Sequence, residues 1–415
     1  ITFLGYPEKS FTGDWQPLTM DFNLPISILI ASFFLIPFLY RKEFISMYSL
    51  LEENHGSWAV LFCEASSLLM QTIRVGVILF LLSHLIGTLT SWNFVATVIV
   101  LASATTLYSA LGGYNAVLKT DILQSAFMVF SAFTILFLLW KENGPAMTTS
   151  LSHYAEQIHF GSFDFSLSKR TFFGLVLFGI VDTVTLFGTD QSMAQRVKSA
   201  GSIKKARKAM LIGLSLAFLI LLCFSTIGAF LHVDSQTRPE LWAQLGNTHP
   251  LFFYIKGLPG YLRDFLVLGL FSAAISSIDS SINSNAVLVA NRLSALSRTQ
   301  TLSPVFVYRV ASLFIGILAT WVCFIFAGQE QILEIWWKVL AYLGMGLLSL
   351  FALTWLKIKL PLNTFLFLLF AACVVIFCSQ TERLPIDPLF AGMIGTLLIV
   401  VGGVVQSKFN HQKTL

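Results

Sequence analysis

About eleven long apolar runs constrain this chain more than any other feature of its sequence. Each has roughly the 20 residues that an α-helix needs to cross the hydrocarbon core of a bilayer. Strands of a membrane barrel would have about 10 residues with alternating polarity, so the runs predict helices. The predicted spans, numbered 1 to 11 in chain order, are 23–40, 57–87, 93–111, 114–140, 171–195, 206–231, 264–291, 305–327, 331–355, 361–378 and 387–406.

The composition agrees with an all-α polytopic membrane protein. Hydrophobic residues make up 56% of the chain and charged residues only 11%, whereas a soluble domain typically has about 25% charged residues. No polar stretch is long enough to build a separate core. We therefore expect one transmembrane domain over residues 1–415.

The charges of the loops predict the orientation of the chain. The segment 195–210, "QRVKSAGSIKKARKAM", carries six basic residues and no acid, which places it in the cytoplasm by the positive-inside rule. Counting alternately from there puts most other loop cations on the same side and most acids, Asp234 among them, outside. Topology accounts for the basic loop without a nucleic-acid partner. The expected location is the inner (plasma) membrane, crossed many times.

Ionisable residues inside the spans are the most informative ones for function. A charged side chain at the centre of a span costs roughly 2.5–3.5 kcal/mol on insertion scales, so such residues usually face a cavity or a pathway. The candidates are Glu64 and Arg74 in span 2, Asp121 in span 4, Asp182 in span 5 and Asp279 in span 7.

Span 7 contains the serine-rich stretch "FSAAISSIDSSINSNA", residues 271–286. Ala273, Ser276, Ser277 and Ser280 recur at helical spacing and share one face, and Asp279 belongs to a neighbouring stripe. Hydroxyl and main-chain oxygens between two helices suit a hard monovalent cation such as Na⁺. The alternative is that the small residues serve helix packing and that the serines bond back to their own helix.

Asp121 and Arg74 each allow two interpretations. Asp121 follows the pair Gly112–Gly113, which predicts a tight turn between spans 3 and 4, and it is either a helix-end charge beside Lys119 or a cation or proton ligand. Arg74 lies too deep in span 2 to reach water easily, so it needs an anionic partner. That partner is either the carboxylate of a solute or an aspartate on another helix.

Asp182 lies among glycines and threonines in "FGIVDTVTLFGTDQ", residues 178–191. This pattern predicts a break in span 5 near Asp182. Secondary transporters build their binding sites from such broken helices near the middle of the membrane. We therefore predict that Asp182 contacts the solute.

Four segments of the chain, in order, resemble the sodium:solute symporter family. They are "EFISMYSLLEENHG" (43–56), "LYSALGGYNAVLKTDILQS" (107–125), "GTDQSMAQRVKSAGSIKKARKAM" (188–210) and "SAAISSIDSSINS" (272–284). The resemblance covers most of the chain. It implies the leucine-transporter-type fold with two inverted five-helix repeats, a truncated N-terminal helix, and additional C-terminal helices over residues 361–415 outside the repeat core.

The resemblance also implies ion sites. Ala273, Ser276 and Ser277 match positions that line the family's shared sodium site. Asp121 and Ser280 match a second sodium site of some members, and Asp279 lies between these groups. Na⁺ is therefore the expected coupling ion, with H⁺ as the alternative if Asp121 and Asp279 carry protons.

Among family members, "ITFLGYPEKSFTGDW" and "QTIRVGVILFLL" look most like the sodium–sialic acid symporters. There, an arginine that matches Arg74 binds the solute carboxylate, and a threonine that matches Thr2 lies in the pocket. The expected function is sodium-coupled import of a small organic anion such as sialic acid by alternating access. The expected partners are the solute and the lipid bilayer, with no obligatory protein partner.

Other functions remain open at this point. The solute could be a monocarboxylate, a sugar, an amino acid or a vitamin, because related carriers share "TFLG". The protein could also be a membrane sensor that keeps the transporter core. We do not expect an enzyme, because the ionisable residues spread over several depths instead of forming one catalytic cluster.

Overall fold

The computed structural model describes residues 2–40, 43–44, 46–90, 92–246, 248–296, 303–328 and 332–413. In these residues, eleven helices are long and apolar enough to cross a membrane, which confirms the predicted span count. Spans 1 to 11 are Gln16–Tyr40, Ser57–Gly87, Phe94–Gly113, Val117–Gly144, Phe172–Thr189, Ile203–Thr237, Gly260–Ser294, Pro304–Ile325, Ile335–Trp355, Leu362–Gln380 and Pro388–Phe409.

Shorter helices connect or interrupt the spans. Outside the spans they are Thr2–Phe11, Met47–Leu51, Glu52–His55, Gln191–Ser199, Pro239–Trp242 and Pro250–Lys256. Two spans contain a π-helical turn, Ala31–Leu35 in span 1 and Leu340–Gly344 in span 9. The predicted first residue of span 9, Gln331, lies outside the described residues.

Local sequence signals explain several of the helix ends. Spans 3 and 4 belong to one long helix, Phe94–Ala155, that is interrupted at Gly113, where φ is 64°. This left-handed conformation suits glycine and confirms the predicted turn. Asn93, Thr171 and Ser303 begin spans 3, 5 and 8, and each side-chain oxygen accepts a hydrogen bond from a backbone N–H of the first turn, as expected of N-cap residues.

The chain divides into two compact units. Unit 1 contains residues 1–19, 72–161 and 216–332, and unit 2 contains residues 20–71, 162–215 and 333–415. Spans 1, 2 and 6 each have residues in both units.

Unit 1 holds the N-terminal helix Thr2–Phe11 by polar and aromatic contacts. The Tyr154 hydroxyl donates a hydrogen bond to the Ser10 carbonyl, and Trp15 Nε1 donates to the Tyr154 hydroxyl over 2.7 Å. His232 Nδ1 contacts the Phe11 carbonyl at 2.8 Å, and the Phe11 ring stacks on Trp242. These contacts fix the helix whose first residues line the candidate site.

Unit 2 contains a buried histidine that joins two segments distant in sequence. His55 Nε2 lies 3.1 Å from Thr354 Oγ1, and the Leu360 N–H donates to His55 Nδ1 over 3.2 Å. The neutral imidazole satisfies both contacts, and burial lowers the pKa of His55. This contact fixes the loop before span 2 against the end of span 9.

Two predictions about the spans need correction. Span 5 is unbroken from Phe172 to Thr189, and the break falls at Asp190. Gly179 instead makes room for the Met20 carbonyl, where a Cβ atom would come within 2.0 Å of the oxygen. Asp234, counted among the outer loop acids, lies in helix Ile203–Thr237 and is completely buried.

Candidate functional site

A cavity of about 300 Å³ in unit 1 brings together residues that the sequence predicted for two different ligands. Thr2, predicted to contact the solute, lines it together with Ala273, Ser276 and Ser277, predicted to bind the cation. The remaining wall is largely apolar. It consists of Phe3, Leu4, Ile78, Leu81, Leu82, Leu85, Met128, Ala217, Ile220, Leu221, Phe224, Leu270 and Ala274.

The serines of span 7 bond back to their own helix. Ser276 Oγ donates to the Ala273 carbonyl over 3.1 Å, and Ser280 Oγ donates to the Ser276 carbonyl over 2.8 Å. Ser277 Oγ has a longer contact, 3.4 Å, with the same Ala273 carbonyl. These bonds fit the packing alternative, but they also leave the hydroxyl lone pairs available. Because Ser276 and Ser277 line a cavity, their oxygens are accessible to a cation.

Asp279 is the least satisfied carboxylate on this helix. It is completely buried, and neither of its oxygens accepts a hydrogen bond of good geometry from the described residues. Asp121 of span 4 and Ser109 of span 3 lie close enough to interact with it electrostatically. The structure therefore brings Asp121 and Asp279, which are 158 residues apart, to one place in unit 1.

A completely buried carboxylate such as Asp279, next to a second carboxylate, has two chemical solutions. It can hold a cation, whose charge offsets the carboxylates, or it can hold a proton. Ser280 lies next to Asp279 on the same helix and is half-buried. The geometry thus accommodates the predicted second ion site, and the roles of the individual residues remain predictions.

Arg74 extends the cavity face of span 2 by one turn. It precedes the lining residue Ile78 by four positions, and residues four apart lie on the same side of a helix. Arg74 is half-buried and belongs to unit 1. Glu64 lies ten residues earlier on the same continuous helix, which is about 15 Å along its axis, so the two do not form a direct pair.

Asp182 lines a different and much smaller cavity, which is built wholly of unit 2 residues. Its volume is about 40 Å³. Thr185 of span 5, the π-helical turn of span 9 and Thr396 of span 11 also line it. The predicted contact between Asp182 and the solute stays a prediction.

Sequence reasoning missed a buried polar cluster at the actual break after span 5. The Tyr48 hydroxyl donates to the Thr189 carbonyl over 2.8 Å, and the Met47 N–H donates to Gln191 Oε1 over 2.9 Å. Gln71 donates to the Asp190 carboxylate, which also caps helix Gln191–Ser199. The family-like segments 43–56 and 188–210 meet here. Their resemblance to the same family was the one sequence signal that could have linked them.

The sodium:solute symporter family model matches residues 1–360. The chain belongs to the sodium:solute symporter family. A sodium/sialic acid symporter, NanT of Aliivibrio fischeri, is 24% identical over 97% of this chain and 81% of its own length. A putative sodium-dependent multivitamin transporter of Drosophila melanogaster is 25% identical over 85% of this chain, which spans 61% of that protein.

A solved structure shares the fold of this symporter. A Na⁺-coupled sialic acid symporter in a substrate-bound outward-open state matches with a TM-score of 0.87 and 21% identity. The match covers 99% of this chain and 86% of that one. The predicted leucine-transporter-type fold is thereby confirmed.

Family membership settles the class of activity. The protein is a sodium-coupled secondary symporter in a membrane that it crosses many times, and it is a transporter and not an enzyme. Na⁺ is its coupling ion, and its transported partner is a small molecule. The oxygen-rich face of span 7 has the chemistry that such an ion requires.

Proposed function

We propose that this symporter, acting as one transmembrane domain in the inner (plasma) membrane, imports a small organic anion, with sialic acid as the first candidate. The observation that carries the proposal is the shared cavity of unit 1. Thr2 and the span 7 positions Ala273, Ser276 and Ser277 line it, and Arg74 lies one turn beyond on the same face of span 2. An arginine in this position would neutralise and orient a carboxylate.

Coupling to Na⁺ supplies the driving force for import. One positive charge crossing 100 mV yields about 2.3 kcal/mol, and a tenfold Na⁺ gradient adds about 1.4 kcal/mol. An anion carried with a single Na⁺ gains nothing from the voltage, because the two charges cancel. A second Na⁺ restores that contribution, and this is a physical reason for a second ion site at Asp121, Asp279 and Ser280.

The apolar wall of the cavity favours a second candidate class. Leucine, isoleucine and phenylalanine side chains form most of the lining, and such a surface binds carbon skeletons better than hydroxyl-rich ones. A monocarboxylate or a vitamin with a carboxylate would use Arg74 in the same way. The similar identities to a sialic acid symporter and to a multivitamin transporter do not choose between the classes.

Uptake into proteoliposomes tests the proposal. Labelled sialic acid is offered under an inward Na⁺ gradient to the wild type, to Arg74→Ala and to the control Arg309→Ala, whose side chain is exposed on span 8. Na⁺-dependent uptake that only Arg74→Ala abolishes would support the proposal. Unlabelled monocarboxylates and vitamins are added as competitors. If one of them inhibits the uptake of labelled sialic acid better than unlabelled sialic acid does, the second class is favoured.

Two outcomes would oppose import of an organic anion. Saturable binding without any flux would favour the membrane sensor. Full uptake by Arg74→Ala would remove the arginine from the carboxylate site, and neutral solutes such as sugars would then be tested.

A further inference from the structure

The cavity around Asp182 in unit 2 is too small for an organic solute. Its volume is about 40 Å³, while one water molecule needs roughly 10–15 Å³ on the same scale. Two or three water molecules, or one ion with a water, would fill it. The ligand of this cavity must therefore be small.

The cavity is lined by oxygens that can act as ligands for a cation. Asp182 is the one ionisable side chain among its lining residues. Thr185 Oγ1 donates its proton to the Val181 carbonyl over 2.7 Å, and Thr396 Oγ1 donates to the Gly392 carbonyl over 3.0 Å. Since both hydroxyl protons are engaged in these bonds, the oxygen lone pairs are available to a positive ion.

The third wall is the π-helical turn Leu340–Gly344 of span 9. Hydrogen bonds in such a turn run from residue i to i+5, which widens the helix and takes a carbonyl out of the regular i to i+4 pattern. π-helical turns inside α-helices are frequent at functional sites for this reason. Leu340, Ala341 and Gly344 of the turn all line the cavity.

The walls are held by close backbone packing. A Cβ atom on Gly392 of span 11 would lie 2.8 Å from the Ala341 Cα atom, so only glycine allows this approach. Asp182 itself lies near the middle of the 18-residue span 5, where an ionisable side chain usually marks an ion or solute pathway. The cavity thus combines one carboxylate and two hydroxyl oxygens with an otherwise apolar wall.

We propose that Asp182, Thr185, Thr396 and a main-chain carbonyl of the π-helical turn bind one small monovalent cation. One carboxylate with neutral oxygens suits Na⁺ better than a divalent ion, which takes more carboxylates. This site is additional to the sodium ligands on span 7. It assigns Asp182 to an ion instead of the organic solute, and it holds whether or not that solute is sialic acid.

Binding of radioactive Na⁺ to the purified full chain tests the site. We compare the wild type with Asp182→Asn, which keeps the shape of the side chain, and with Thr396→Val, which removes one oxygen. The control is Thr226→Val, because Thr226 makes the same bond back to its helix, to the Leu222 carbonyl at 2.8 Å, outside the cavity. Labelled solute binding at saturating Na⁺ is measured in parallel.

We expect Asp182→Asn to bind one Na⁺ fewer per chain and Thr396→Val to weaken one Na⁺ site about tenfold. Thr226→Val should match the wild type. The double variant Asp182→Asn with Ser277→Ala should lose the cavity ion and bind the span 7 ion about tenfold more weakly. These readouts do not require transport, so failure of sialic acid uptake leaves the test of this site intact.

Two results would overturn the inference. One is an unchanged number and affinity of Na⁺ ions in Asp182→Asn. The other is loss of solute binding in that variant with Na⁺ binding intact, which would return Asp182 to the solute. If Asp182→Asn does not fold, unchanged Na⁺ affinity in Thr396→Val is sufficient to reject the site.

Discussion

Asp234 and Asp279 are both completely buried in unit 1, but their surroundings differ in one respect. Asp234 accepts hydrogen bonds from Asn143 Nδ2, Arg238 Nε and Trp242 Nε1 at 2.8 to 2.9 Å. Asp279 accepts none of good geometry, and its nearest charged neighbour is another carboxylate, Asp121.

The difference separates a carboxylate that stabilises the fold from one that we predict to bind a cation or a proton. The donors around Asp234 replace the water lost on burial, as a structural buried ion requires. For Asp279, the free-energy cost of removing the carboxylate from water is offset only when a cation or a proton binds. Burial alone therefore does not predict an ion site, whereas burial without hydrogen-bond donors does predict one.

The largest expected effect on stability comes from replacing Asp234, the aspartate that accepts several hydrogen bonds. Asp234→Ala leaves Arg238, Asn143 and Trp242 without their common acceptor. Arg238 is 39% exposed and keeps its ion pair with Glu142, but Asn143 and Trp242 are buried. A buried donor left without an acceptor costs about 1–3 kcal/mol, so these two predict a loss of about 2–6 kcal/mol in the free energy of unfolding in detergent. Na⁺ affinity should stay at the wild-type value. A loss below about 1 kcal/mol would show that the donors find water instead.

His249 is a second group whose hydrogen bonds are all made in the fold, and it makes the stability of the protein depend on pH. Its Nε2 lies 3.2 Å from the Leu4 carbonyl, and its Nδ1 accepts from the Leu251 N–H over 3.2 Å. Only the neutral imidazole makes both bonds, and burial lowers the pKa of His249 to about 4. The nearest carboxylate is that of Glu8, 3.8 Å from Nε2.

Because the unfolded chain takes up a proton near pH 6.5 and the folded chain does not, stability falls as the pH drops below 6.5 toward 4. The expected loss from this group is about 3 kcal/mol. His249→Asn should lack this part of the pH dependence in unfolding measurements, while the exposed control His159→Asn should retain it. Parallel curves for wild type and His249→Asn would contradict the assignment.

Asp279→Asn should change the free energy of unfolding in the opposite direction from Asp234→Ala. Without Na⁺, removal of an uncompensated buried charge should leave stability unchanged or raise it. At Na⁺ concentrations about 100 times the dissociation constant, the wild type should gain about 2.7 kcal/mol per bound ion. The variant should lose that gain for one ion. A variant as unstable as Asp234→Ala would remove the distinction between the two aspartates.

The smallest expected effect comes from a single hydroxyl. Ser277→Ala removes one neutral ligand, and we expect the Na⁺ concentration for half-maximal uptake to rise about tenfold, equivalent to roughly 1.4 kcal/mol. The control is Ser284→Ala, since Ser284 is buried on the same helix and bonds back to the Ser281 carbonyl. Unaltered ion dependence in Ser277→Ala would favour the packing alternative for this serine.

The sequence predicted those features that depend on local pattern. Eleven spans follow from the apolar runs, and the turn at Gly113 follows from a glycine pair between two of them. The family-like segments predicted the fold and the ion-coupled function. They also assigned Thr2 to the solute and Ser276 and Ser277 to the cation, and the cavity of unit 1 brings these three residues together.

The features that sequence reasoning missed depend on contacts between distant segments. The glycines around Asp182 predict a break in span 5, but Gly179 accommodates the Met20 carbonyl, and nothing near Gly179 in the sequence reveals that neighbour. The sequence places Asp234 in an outer loop, just beyond predicted span 6. Its buried role is not evident there, because its donors Asn143 and Trp242 come from other helices. The proximity of Asp121 and Asp279 is likewise set by packing between spans 4 and 7.

The network at Asp234 also gives the protein an optical reporter. The indole of Trp242 donates to the Asp234 carboxylate and stacks on Phe11, 5.5 Å between ring centres, at the end of the N-terminal helix. A charge beside the indole nitrogen and a ring against its face both influence its emission. Rearrangement of the N-terminal helix would therefore change the fluorescence of this one tryptophan, and the difference between wild type and Trp242→Phe would report it without any attached dye.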